Sequence, residues 1–148
     1  MRDYFAEVPT YGPAAFRRRY RMSKPVFQRV MDRLKEHDVY FVQKPDSAGL
    51  MGLSTHQKCT AAIRMLAYGC SADSLDENLR LGVSTILECL RNFCKGIIEV
   101  FGAEYLRTPT EADMTRLLES DNELGFPGMI GSLDYMHWEW KNCPTALQ

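Results

Sequence analysis

Four segments of this 148-residue chain repeat apolar residues every three or four positions, and this spacing constrains the fold more than any other feature. Such a repeat places the apolar side chains along one face of a helix. The segments lie at residues 22–38, 53–69, 71–102 and 108–125. Because Gly82 interrupts the third segment, the pattern predicts a short helix followed by a long one there, and five helices in all.

Polar residues with known capping preferences mark where these helices begin. Their side chains accept hydrogen bonds from the free N–H groups of a first helical turn. Ser74 with Glu77, and Thr85 with Glu88, also have the three-residue spacing of a capping box. Gly69 suits the left-handed position after a helix end. The expected N-caps are Ser23, Ser54 or Thr55, Ser74, Thr85 and Thr110.

The apolar stripes of the five helices predict the core. Side chains one helical turn apart lie on the same face, so each stripe follows spacings of three and four. The predicted core positions are Val26, Val30, Leu34, Cys59, Ala62, Ile63, Leu66, Ala67, Leu87, Leu90, Cys94, Ile97, Ile98, Phe101, Met114, Leu117 and Leu118.

The end of the chain changes character. After the sequence GFPG, residues 129–134 are the best strand candidate, and a second extended stretch is predicted through Trp138 and Trp140. One strand cannot satisfy its own backbone donors and acceptors, and a single hairpin is marginal in water. We therefore expect a helical region over residues 1–125 and the start of an incomplete second domain over residues 126–148.

Basic residues are concentrated near the N-terminus, although the net charge is only −1. Residues 13–35 contain eight bases and one acid, whereas residues 70–123 contain five bases and eleven acids. Such asymmetry indicates that the N-terminal part meets a polyanion such as DNA. The alternative is a solvated helix face that forms salt bridges with the acidic half. The candidate DNA-binding residues are Arg17, Arg18, Arg19, Arg21, Lys24, Arg29 and Arg33.

Composition disfavours membrane, disulfide and zinc-site classes. No apolar stretch approaches the ~20 residues that span a bilayer. The N-terminus lacks the apolar segment of a signal peptide, so a cytosolic or nuclear protein is expected. The five cysteines include no CxxC pair and the three histidines are scattered. We expect reduced cysteines that pack as small apolar groups.

Asp134 stands alone in the strand-like sequence GMIGSLDYMHWEW. A buried carboxylate is costly unless it is paired, coordinated or protonated. At the end of a strand such a group commonly holds Mg²⁺ or Mn²⁺, whereas an aspartate in an exposed turn bonds backbone amides. His137 is expected to be structural, because Asp134 and His137 point to opposite faces of a strand. The two tryptophans are also expected to be structural.

The turn at Gly82 between a short and a long helix also fits a helix-turn-helix motif, in which the long helix enters the major groove of DNA. The exposed side chains expected on the long helix are close to neutral, which is unfavourable for phosphate binding. A plain helical hairpin is the alternative. These exposed residues are Glu88, Arg91, Asn92, Lys95 and Glu99.

Three sequence blocks resemble the PIF/Harbinger transposases of plants and the domesticated transposase-derived nuclease-like proteins related to them. The blocks read FRRRYRMSKPVFQRVMDRL, LSTHQKCTAAIRMLAYG and GFPGMIGSLDYMHWEWKNCPTA. They follow one another over essentially the whole chain, and the closing block is the most specific. The resemblance implies a mainly α chain in which a five-helix N-terminal region with a helix-turn-helix-like pair precedes the first one or two strands of an incomplete ribonuclease H-like (DDE) domain.

The resemblance also implies a role for Asp134 as the first of three catalytic carboxylates that bind Mg²⁺ or Mn²⁺. Two-metal phosphodiester cleavage needs several carboxylates to hold the ions about 3.5–4 Å apart. In the family the other two carboxylates come later than residue 148. We therefore expect a truncated, catalytically inactive, DNA-associated nuclear protein, for which the family implies a Myb-like DNA-binding partner.

Two other functions stay open. The chain is either a domesticated DNA- or chromatin-binding protein without chemistry, or a helical protein-interaction module whose basic residues serve its own acidic half. Salt-dependent DNA binding separates these two functions.

Overall fold

The computed structural model describes residues 2–133, which form seven α-helices and one short 3₁₀ turn at Val39–Phe41. The chain divides into two compact units, Met1–Arg107 and Thr108–Gln148. The helices are α1 (Arg2–Phe5), α2 (Pro13–Tyr20), α3 (Lys24–His37), α4 (Thr55–Tyr68), α5 (Asp73–Leu79), α6 (Val83–Tyr105) and α7 (Glu111–Glu123).

The mainly helical class is confirmed, since all five predicted helices are present as α3 to α7. Two further helices, α1 and α2, precede them. The apolar spacing does not reveal α2, because only Phe16 and Tyr20 of its eight residues are buried. Among the described helices, none combines the length and apolar character needed to cross a membrane.

The predicted caps of α4 and α7 are right, whereas those of α5 and α6 are wrong. Helix α4 has a capping box in which the Gln57 N–H donates to Ser54 Oγ over 3.2 Å and the Ser54 N–H donates to Gln57 Oε1 over 3.0 Å. Thr110 caps α7 in the same way. Ser74 and Thr85 are not caps, because α5 already begins at Asp73 and α6 at Val83.

Helix α4 lies at the centre of the first unit and packs against α2, α3, α5 and α6. Its residues Cys59, Ala62 and Ile63 are buried as predicted, whereas Leu66 is exposed. On α3 the buried face is formed by Phe27, Met31 and Leu34 rather than by Val26, which is half exposed. The same apolar cluster takes in Phe16, Tyr20, Phe41 and Phe93.

Helix α6 is rotated by about one residue relative to the predicted stripe. Its buried row is Ile86, Cys89, Phe93 and Gly96, while the predicted core residues Leu87 and Ile98 are exposed. The cause is a close approach between helices: a Cβ atom on Gly96 would lie 2.6 Å from Leu34 Cδ2 of α3. A larger residue at this crossing would require Leu34 to shift, so Gly96 favours the observed rotation of α6 against α3.

The predicted strand at residues 129–134 is not seen where the structure describes it. Residues 129–133 contain no strand, and Leu133 is fully exposed. A strand needs a partner for its backbone groups. Within residues 2–133 the one β-type pairing is an isolated bridge between Pro45 and Met51. Residues 134–148, with the second predicted stretch, lie outside the described residues.

The buried thiols behave as apolar core groups. Cys59 of α4 and Cys89 of α6 are both fully buried, and the Tyr40 hydroxyl lies 3.3 Å from Cys89 Sγ. Burial raises the pKa of the Cys59 thiol to about 12. The four cysteines among the described residues are free: Cys59, Cys70, Cys89 and Cys94.

Replacement of Gly96 by alanine is expected to lower the free energy of unfolding by about 1–2 kcal/mol, because overpacking outweighs the gain in helix propensity. Leu34 is fully buried and cannot move aside freely. Urea unfolding measures the change. Gly102→Ala is the matched control, since its Cβ would have no neighbour closer than 3.8 Å. This control should be stabilised by about 0.5–1 kcal/mol. Equal responses of the two variants would contradict the close approach.

The raised pKa of Cys59 predicts a loss of stability at alkaline pH. The unfolded thiol releases its proton near its ordinary pKa of 9.0, whereas the folded one keeps it to about 12. Stability is therefore full below the unfolded pKa and falls as the pH rises between these values. Cys59→Ala should make this slope shallower by up to ~1.4 kcal/mol per pH unit in urea unfolding series. Ile63→Val, a core truncation without a titrating group, should keep the slope.

Candidate nucleic-acid interface

Helix α2 carries the predicted arginines over an aromatic anchor. Phe16 and Tyr20, one turn apart, are each 2% exposed and stack with ring centroids 4.3 Å apart. Phe27 of α3 meets both rings edge-on, at 5.8 and 5.1 Å. Because these aromatic residues fix which face of α2 is buried, Arg17 and Arg18 lie on the exposed face.

The end of α2 places a further arginine beside them. Arg21 follows the helix in the left-handed conformation, with φ 56°, and α3 begins soon afterwards at Lys24. Residues 17–19 occupy the last turn of α2, where the free carbonyl groups favour cations. Lys24 is exposed, with Nζ 6.0 Å from the centre of the Phe5 ring.

Arg17, Arg18, Arg19 and Arg21 form an arginine cluster. Tyr68, the last residue of α4, contacts three residues of this cluster. The guanidinium carbon of Arg21 lies 5.5 Å from the centre of the Tyr68 ring, and that of Arg19 lies 6.0 Å away. The Tyr68 hydroxyl donates a hydrogen bond to the Arg18 carbonyl oxygen over 3.3 Å. Tyr68 therefore ties the C-terminal end of α4 to α2 and orients two of the predicted cations.

Arg19 differs from its neighbours because it is half-buried. A side-chain hydrogen bond with Tyr4 raises the pKa of its guanidinium further above the ordinary value, and partial burial opposes the rise. The group stays charged, but it faces Tyr4 and Tyr68 rather than open solvent.

Arg29 and Arg33 on α3 each have a carboxylate of the chain itself nearby. Arg29 Nη2 lies 3.8 Å from Glu104 Oε2, and Arg33 Nη1 lies 3.9 Å from Glu36 Oε2. Both pairs are exposed, and exposed pairs of this kind contribute at most about 1 kcal/mol. The structure thus divides the predicted set into an α2 group around Arg17, Arg18 and Arg21 and an α3 group that is partly neutralised.

The helix-turn-helix-like pair, α5 with α6, has a surface unfavourable for DNA. On α6, Glu99 contacts two basic side chains: His37 Nε2 lies 2.9 Å from its Oε2, and Lys95 Nζ lies 3.8 Å from its Oε1. The charges of α5 repel a phosphate backbone. This distribution favours the helical-hairpin interpretation. The charged residues within α5 are Asp73, Asp76 and Glu77.

Asp134 lies outside the described residues, as do His137, Trp138 and Trp140, so its metal-binding role stays a prediction. Among residues 2–133, the structure brings together no group of three or more His, Cys, Asp or Glu side chains that could hold a metal ion.

Tyr68 and Tyr4 belong to the candidate interface and were missed by sequence reasoning. The one local signal for Tyr68 is its place at a helix end before Gly69. Its hydrogen bond joins residues 50 positions apart, and no helical periodicity carries that information.

Two comparisons with protein families match opposite ends of the chain. Residues 103–148 match a family described as plant transposon protein, and residues 1–35 match a domain of unknown function. The first match supports a plant transposon-derived origin for this protein. The second covers α1, α2 and most of α3, which is the part that carries the arginine cluster. No curated protein and no solved structure matches the chain.

Proposed function

We propose that this chain is a transposon-derived, DNA-associated protein whose α2 arginines bind the phosphate backbone. The observation that carries the proposal is the exposed pair Arg17 and Arg18, with Arg21 beside it, on a helix anchored by Phe16 and Tyr20. The match to a plant transposon family supports it, because proteins of transposons act on DNA.

The chemistry of the surface suits phosphate rather than base recognition. A guanidinium binds a phosphate through two parallel N–H donors, and α2 contains no acid that would compete. The aromatic anchor fixes the helix that carries Arg17 and Arg18, and Tyr68 holds Arg21 before DNA arrives, which lowers the ordering cost on binding. Contacts to the backbone alone give affinity without sequence readout.

Catalysis is a separate part of the proposal. Resemblance to PIF/Harbinger DDE endonucleases implies divalent-metal-dependent cleavage and transfer of DNA, with Asp134 as a ligand of Mg²⁺ or Mn²⁺. The resemblance identifies one carboxylate of three within these 148 residues. We therefore propose DNA binding without cleavage for residues 1–148, in the nucleus, with a Myb-like protein as the expected partner.

The alternative is a non-catalytic protein-interaction module whose cations serve its own acids. The pairs Arg29–Glu104 and Arg33–Glu36 favour this alternative for two of the seven candidate residues. They leave the α2 group unaccounted for, and for this reason we place DNA binding first.

Charge reversal of α2 tests the DNA proposal. In fluorescence anisotropy with a labelled duplex, Arg17→Glu/Arg18→Glu should weaken binding about tenfold or more at low salt. It should also reduce the slope of log affinity against log salt by about 2, because two phosphate contacts are lost. Circular dichroism should show the same helix content as the unchanged chain, since both side chains are exposed.

Arg91→Glu/Lys95→Glu is the matched control, because it makes the same charge change on α6. This variant should keep most of the affinity. Loss of binding in the α6 variant alone would instead favour the helix-turn-helix interpretation. Unchanged binding in both variants would favour the protein-interaction module.

A nicking assay tests the catalytic part. With supercoiled plasmid and either Mg²⁺ or Mn²⁺, the 148-residue chain should produce no more open circles than the Asp134→Ala variant, because a single carboxylate does not define a two-metal site. Metal-dependent nicking that disappears in the variant would show that the chain is a nuclease.

A further inference from the structure

We infer that a pocket formed by α1, α2 and α4 is a binding site for a phosphate group. This inference deepens the proposed function, because a nucleic acid is one source of such a phosphate group. The cavity has a volume of about 280 Å³. Arg19 of α2 and Arg64 of α4 both line it, together with the hydroxyl-bearing residues Tyr4, Tyr11 and Thr60.

Arg64 supplies the first argument. Its Nε atom is buried and has no hydrogen-bond partner within residues 2–133. A buried N–H donor without an acceptor is costly, and folded proteins satisfy nearly all such groups with protein, water or ligand. Because Arg64 also lines the cavity, an anion bound there meets a guanidinium that matches it in charge and whose Nε has no partner in the protein within residues 2–133.

The second argument is that a buried hydroxyl pair lines the same pocket as the two arginines. The Tyr20 hydroxyl lies 3.4 Å from Thr60 Oγ1 at the buried side of the pocket. Burial raises the pKa of Tyr20, while the hydrogen bond with Thr60 and the charges of Arg64 and Arg19 oppose the rise. The pocket that Arg19 and Arg64 line therefore also holds hydroxyl groups, and the member of this pair that accepts keeps its own O–H for a phosphate oxygen.

Asp3 is the one acid on the pocket wall, and it opposes an anion. Its side chain is exposed, so its charge is screened by solvent more than those of the half-buried arginines. The wall thus carries two positive charges against one negative charge, which favours a tetrahedral oxyanion over a cation or an apolar ligand.

The third argument is continuity with the α2 arginine surface. A neighbouring cavity of about 400 Å³ shares Tyr4, Tyr11 and Arg19 with the pocket and is also lined by Arg18. A phosphate held by Arg19 and Arg64 would therefore lie close to exposed Arg18. The phosphate group bound in this pocket can come from two sources, inorganic phosphate or the backbone of a nucleic acid.

Thermal unfolding of the full chain in inorganic phosphate, compared with chloride at equal ionic strength, tests the site. Phosphate should raise the Tm of the unchanged chain by mass action. Arg64→Gln should weaken the apparent phosphate affinity about tenfold or more, because a charge-assisted hydrogen bond is lost. Arg91→Gln, the matched control on α6, should respond like the unchanged chain.

Asp3→Asn keeps the inference testable if Arg64→Gln does not fold. Removal of the exposed opposing charge should tighten phosphate binding by about two- to fivefold, and a damaged pocket cannot mimic a gain. No stabilisation by phosphate beyond that by chloride would overturn the inference. An unchanged phosphate affinity in both pocket variants would overturn it as well.

A labelled oligonucleotide separates the inference from the proposed function. Competition between the oligonucleotide and inorganic phosphate, lost in Arg64→Gln, supports the pocket with nucleic acid as the source. Phosphate binding without DNA binding supports the pocket with free phosphate as its ligand, while the proposed function fails. DNA binding that depends on Arg17 and Arg18 but not on Arg64, with no stabilisation by phosphate, overturns the pocket and leaves the proposed function standing.

Discussion

The stacked pair Phe16 and Tyr20 is the contact on which the arginine surface depends. A helix of eight residues is too short to be stable alone in water, so α2 exists because these two rings are buried against α3 and α4. Loss of either ring from a packed core would cost about 3–5 kcal/mol. The charged face of α2 therefore depends on the burial of its aromatic face, and one eight-residue sequence encodes both faces.

Helix α4 links the core to the surface. Its capping box at Ser54 sets where it begins, and Cys59 and Ile63 bury its middle. The same helix then contributes Arg64 to the pocket wall and Tyr68 to the arginine cluster. Because one rigid element carries all of these groups, the packing of the core determines the spacing between the pocket and the cations of α2.

Local features of the chain could be predicted from the sequence, and tertiary ones could not. The caps at Ser54 and Thr110 follow from a motif of residues three positions apart, although the same spacing at Ser74 and Thr85 gives no cap. The rotation of α6 depends instead on the approach of Gly96 to Leu34, a contact between distant segments. Leu87 and Leu90 are both leucines of the predicted stripe, and only the packed structure shows that the first is exposed.

The candidate site shows the same division. The arginines of residues 17–21 are visible in the sequence as a charge cluster, whereas their grouping around Tyr68 requires α4 to fold back on α2. The Arg19–Arg64 pocket is likewise formed by residues 45 positions apart in the chain. By contrast, the carboxylates of α5 lie in one short stretch, so the unfavourable charge of the helix-turn-helix-like pair could be read from the sequence.

The left-handed backbone conformation at the end of α2 lowers the stability of the folded chain. Arg21 adopts φ 56°, a conformation in which a side chain costs about 1–2 kcal/mol and glycine almost nothing. A glycine there would give the same turn with less strain, but it would remove the guanidinium beside Tyr68. The turn is therefore less stable with Arg21 than it would be with glycine. Arg21 instead contributes a positive charge at the edge of the arginine surface.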